Sequence, residues 1–119
     1  MANPNIVNVT DIRGKTAVAN VNTVSSNIVV NASASNKIFK INSLVMSNSN
    51  TTTSANVDVS VLRAGELFHL AFNVPVPSFT SVVAISKDMA CYLEEGDALR
   101  VRASGNNFIR SVCSYEEIS

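Results

Sequence analysis

Apolar and polar positions alternate with a period of two through much of the chain. In NVDVSVL (residues 56–62), Val57, Val59 and Val61 share one side while Asp58 and Ser60 take the other, as a strand buried on one face requires. KTAVANV (15–21), KIFKINSLVMSN (37–48) and ALRVRAS (98–104) repeat the pattern. In the last of these, Leu99, Val101 and Ala103 face inward and Arg100, Arg102 and Ser104 outward. NIVV (27–30), LFHLAFNV (67–74), TSVVAIS (80–86) and NFIRSVCSY (107–115) alternate less cleanly. They are short and rich in β-branched and aromatic residues, which also predicts strands.

Turn chemistry separates these segments: ASASN before Lys37, SNSNTTTSAN (47–56), RAGE (63–66), PVPS (75–78), EEGD (94–97) and SGNN (104–107). The 47–56 segment reads as an exposed, mobile loop. Helical periodicity is confined to a possible single turn at SKDMA (86–90). Eight to ten short strands, spaced about ten residues apart, predict an all-β, antiparallel β-sandwich. A jelly roll is the first expectation and an immunoglobulin-like sandwich the alternative. A length of 119 residues suits one domain over residues 1–119.

Composition adds a hint of assembly. The chain is 46% hydrophobic and only 15% charged, with a positive mean hydropathy, more apolar surface than one small domain readily hides. Nine basic and nine acidic residues leave no net charge, so no global field draws in nucleic acid or an anionic membrane, and little repulsion keeps copies apart. The N-terminus lacks a basic region followed by an apolar run, and no window approaches a membrane span. Folding in the cytosol is the expectation, with Cys91 and Cys113 as free thiols acting as small hydrophobes.

Candidate chemistry is sparse. One histidine, His69, sits inside LFHLAF, and the two cysteines are far apart in sequence, which supplies no zinc-ligand spacing. Cys91 or Cys113 with His69 is the least poor nucleophilic arrangement, and the nearest acids to His69 in sequence, Glu66 and Asp58, come with no nucleophile motif. Phosphate-binding glycine loops and basic-aromatic interleaving are missing from the sequence. No cofactor, metal or nucleic acid is therefore expected.

The acidic run Glu94, Glu95, Gly96, Asp97 remains. Adjacent carboxylates on a strand point to opposite faces rather than toward one bond, and the run is too short in oxygen ligands for a calcium loop. Glu95, Gly96 and Asp97 read as a structural turn, with Gly96 at a positive φ and Asp97 bonding back to the backbone, closing a hairpin between Tyr92–Glu94 and the following strand.

YLEEGDALRVRAS (92–104) and VCSYEEIS (112–119) resemble segments of small virion structural proteins of tailed bacteriophages, especially marine and cyanobacterial ones. MANPNIVNVTDIRGKTAVANV at the N-terminus and KIFKINSLVMSN are similar as well. The resemblance implies a non-enzymatic β-sandwich component of the particle, made in the host bacterial cytoplasm and assembled on the capsid surface, as decoration or spike, or at the neck or tail. It also implies a homo-oligomer, a trimer before a dimer, contacting capsid or neck and tail subunits. The alternative is a fibre or spike module that binds a host-surface glycan or receptor. Whether the first ten residues pair in the sheet or reach a neighbour is left open.

Overall fold

The computed structural model describes residues 11–50, 52–86 and 91–119. Nine strands follow one another: β1 (Ile12–Val21), β2 (Ser26–Val30), β3 (Ile38–Asn48), β4 (Ala55–Arg63), β5 (Glu66–Val76), β6 (Ser81–Ile85), β7 (Cys91–Leu93), β8 (Ala98–Ala103) and β9 (Ile109–Ile118). One sheet has the order β1, β9, β3, β6, with β7 also paired to β3; the other has the order β2, β8, β4, β5. All pairings are antiparallel.

This order decides between the two sandwiches. The pairs are nested, with β1 on β9, β2 on β8, β3 on β6 and β7, and β4 on β5. Such nesting is the double wrap of a jelly roll. An immunoglobulin-like sandwich would keep its first two strands side by side in one sheet, whereas β1 and β2 lie in different sheets. The sixth strand position of the roll is divided: β6 pairs with residues 44–47 of β3, and β7 with residues 39–41. The SKDMA turn falls largely outside the described residues, as do the first ten positions.

Period two builds the core. Ile41, Leu44 and Met46 of β3 and Ile109 and Cys113 of β9 are fully buried against Val57 and Val59 of β4 and Leu99 and Val101 of β8. A bulge between Ile41 and Ser43 inserts Asn42 into β3, so that Ile41 and Leu44, three residues apart, both point inward. Its Oδ1 is buried without a hydrogen-bond partner among the described residues. Cys91 and Cys113 are both free; Cys113 is buried, but Cys91 is only half-buried, less than expected.

Two local expectations change. The 47–56 loop is shorter, because β3 runs to Asn48 and β4 begins at Ala55. Asn48 is buried and donates from Nδ2 to the carbonyls of Thr53 and Val76, while Asn50 Oδ1 accepts the amides of Thr52 and Thr53. Asn side chains that mimic backbone turns account for this order in so polar a segment. The EEGD run is a turn but closes no hairpin. β7 belongs to the β3 sheet and β8 to the other, so residues 94–97 carry the chain across the sandwich.

Candidate functional site

The EEGD turn meets the loop after β2 in a corner of buried polar groups. Gly96 adopts φ +86°, where side chains are disfavoured, and its amide donates to the Asn31 carbonyl at 2.8 Å. The Asn31 amide in turn donates to the Asp97 carbonyl at 2.9 Å. Asn31 is fully buried; its Nδ2 donates to the carbonyls of Lys37 and Leu93, and its Oδ1 accepts from Ser35. Asp97, 2% exposed, accepts the Glu94 amide and the Nε and Nη2 of Arg63. This hydrogen bonding from the Asp97 carboxylate, with Glu94 also within 2.8 Å of Arg63, raises the guanidinium's already high pKa further. The carboxylate oxygens of Glu95 are buried without a hydrogen-bond partner among the described residues. The three acids thus diverge: Asp97 and Glu94 hold Arg63, and Glu95 points elsewhere. That is the behaviour of a structural corner.

His69 and the cysteines are likewise not brought together for chemistry. His69 lies exposed on β5 of one sheet, its ring 4.7 Å from that of Phe72, while Cys113 is buried on β9 of the other. Burial pushes the Cys113 thiol up to about 11, and burial, followed by the nearby Asp97 charge, raises that of Cys91. Both are protonated at neutral pH and poor nucleophiles. Among the described residues, no group of three or more His, Cys, Asp or Glu side chains could hold a metal ion.

The feature left without a structural purpose is the set of exposed apolar side chains on β5. Among the described residues β5 is an edge strand, paired only with β4, and two register shifts fall opposite Val57 to Ser60. The first is held by the Asp58 carboxylate, which accepts the Asn73 amide at 2.7 Å, and by Asn56, which donates to the Asn73 side chain at 3.0 Å. Asn73 sits at φ +55°, a conformation Asn tolerates better than most residues. The second admits Leu70 as an extra residue between His69 and Ala71. Bulges re-aim side chains and twist an edge away from the sheet. Here they break the alternation that would turn every second residue inward. Leu67, Phe68, Leu70 and Phe72 are 41%, 54%, 42% and 65% exposed.

The apolar edge continues toward β7. Phe68 and Val61 line a groove of about 300 Å³ whose other walls are Cys91, Tyr92 and Arg63. With Arg63 already held by Asp97 and Glu94, the groove offers apolar and aromatic surface rather than a free cation. Sequence reasoning identified LFHLAFNV as a strand but not as an exposed one. The one available signal was the crowding of four large apolar residues into six positions, 67–72, which a period of two cannot all bury. No protein-family model matches the chain, and no curated protein matches it.

Proposed function

We propose that the protein is a bacteriophage virion structural component that works by assembly through its β5 edge, on the capsid surface or at the neck or tail, and that it binds rather than turns over. The observation that carries this reading is the run of exposed Leu67, Phe68, Leu70 and Phe72 on an edge strand whose alternation is interrupted by two register shifts. A monomer gains nothing from such an edge, which invites pairing and aggregation. The jelly roll is also a fold used by viral capsid domains, and the resemblance of residues 92–104 and 112–119 to phage virion proteins points the same way.

Magnitudes favour assembly in groups over a simple pair. Burying a large apolar side chain completely is worth about 1.5–3 kcal/mol, so the four half-exposed ones of each copy, eight across a pair, yield roughly 9 kcal/mol. Association alone costs about 4–15 kcal/mol of rigid-body freedom. A trimer in which each β5 edge meets two neighbours, further anchored on another virion protein, multiplies the contacts per subunit. The test is composition: mass spectrometry of purified particles of the phage encoding the chain should find it in stoichiometric copies, and its absence from the particles would refute the proposal.

A second reading, a host-glycan or receptor-binding module, draws on one observation, the aromatic walls Phe68 and Tyr92 of the groove. Sugars stack on such rings. Glycan binding by a stable monomer, lost in Tyr92→Ala, would favour that reading over assembly.

A further inference from the structure

The outer face of the β1 sheet carries a second apolar feature, separate from β5. Val18 of β1 pairs with Val112 of β9, Val112 with Val45 of β3, and Val45 with Val83 of β6. One valine from each of four neighbouring strands therefore lies in a single row, about 14 Å long at ~4.8 Å between strands. Val18, Val112 and Val83 are 73%, 44% and 59% exposed. The flanking positions on β9 are polar, Arg110 and Ser114. Valine is stiff at χ1 and loses little rotamer freedom on docking, so a flat valine row is a low-cost contact surface.

Charge says what fits it. Arg110 stands two residues before Val112 and Glu116 four residues after it, on the same face of β9, with Lys40 of β3 opposite Glu116. Neither has an ion-pair partner among the described residues. We propose that this face docks on a second copy of the chain about a two-fold axis running along the valine row. Rotation about that axis reverses strand direction and lays row on row. Arg110 of each copy then lies over the Ser114 to Glu116 end of the other, giving the same attraction twice, as an isologous contact requires. An axis along β9 itself would instead set Arg110 against Arg110.

The area is sufficient. Ten residues of β9 at ~3.3 Å each, and four strands at ~4.8 Å, give a face of roughly 600 Å² per copy, or about 1,200 Å² in total. That is the lower bound of stable interfaces. The contact goes beyond assembly through β5: a two-fold here combined with a three-fold at β5 would link trimers to one another.

Charge exchange tests the geometry, with the full chain carrying Phe68→Ser and Phe72→Ser so that the β5 contact is weakened. Sedimentation equilibrium should then show dimers, weakened about tenfold or more by Arg110→Glu or by Glu116→Arg alone and restored by the two together. Val112→Asp should leave monomers. All three positions lie on the outer face, so circular dichroism checks that the fold is kept. Monomers in the Phe68→Ser, Phe72→Ser background, alongside an assembling parent chain, would overturn this contact and leave the β5 reading standing. Dimers indifferent to the charge exchange would overturn it equally.

Discussion

At the β5 edge large apolar side chains stand in solvent, whereas at the corner of residues 31–37 and 93–97 polar side chains are buried. Phe72 is 65% exposed while Asn31 is 0% exposed. Each inverts the usual partition for a different reason. The corner is self-sufficient, because the Asn31 and Asp97 side chains are hydrogen-bonded within the chain, and a satisfied buried polar group specifies one geometry at little net cost. The edge is incomplete, because nothing among the described residues covers Phe68 or Phe72. Buried polarity here marks stability, and exposed apolarity marks the surface proposed for assembly.

Substitutions should separate the two regions. The largest effect on stability is expected for Asn31→Ala, which strands the carbonyls of Lys37 and Leu93 in the interior and should cost about 2–4 kcal/mol in urea unfolding. Its sedimentation pattern should match that of the parent wherever the variant is folded. Phe68→Ser with Phe72→Ser should do the reverse, weakening self-association roughly 10- to 100-fold. Stability should change by less than about 1 kcal/mol, because both side chains are already half in water. Equal effects of the two variants on both readouts would erase the distinction.

Gly96→Val tests the backbone of the corner alone. A Cβ at Gly96 meets only Ser33 Oγ, at 3.6 Å, an ordinary contact. The expected cost, about 1–2 kcal/mol, is therefore conformational and comes from φ +86°. Gly96→Ala should cost nearly as much; a much cheaper Ala would point to crowding instead.

The smallest effect belongs to a third polar group. Glu117, 8% exposed, is bonded by Lys15 at 2.7 Å and Lys37 at 2.6 Å, and these hydrogen bonds hold its carboxyl below the usual range. A carboxylate depressed in the folded state stabilises it above the unfolded pKa, about 4.3 for Glu. That contribution is lost as pH falls through the lower folded value. Acid unfolding of the parent should therefore steepen below about pH 4.3, and Glu117→Gln should flatten that limb while leaving assembly unchanged. Both lysines are partly exposed, so salt screening keeps the effect modest.

Much of the fold was legible because period two is a direct record of burial. VDVSV and ALRVRA told inside from outside at Val57, Val59, Leu99 and Val101, all buried. Strand pairing was harder. EEGD carries the residues of a hairpin turn, but the same residues serve a crossover, and what separates the two is a distant partner, Asn31. Its 62- and 65-residue separations from Leu93 and Gly96 leave no local trace. The β5 edge was hidden for a similar reason. Its bulges depend on Asp58 and Asn56 of the neighbouring strand, so LFHLAF alone could not show that its apolar residues would face water.

Amide hydrogen exchange read at β5 tests the central claim most directly. The chain would be compared at dilute and assembled concentrations, with peptides covering residues 66–76 resolved from the rest. Assembly through the edge predicts that protection in this strand rises with concentration, while residues 31–37 and 93–97 exchange at the same rate in both. Unchanged exchange across 66–76 in a sample that has demonstrably assembled would contradict it.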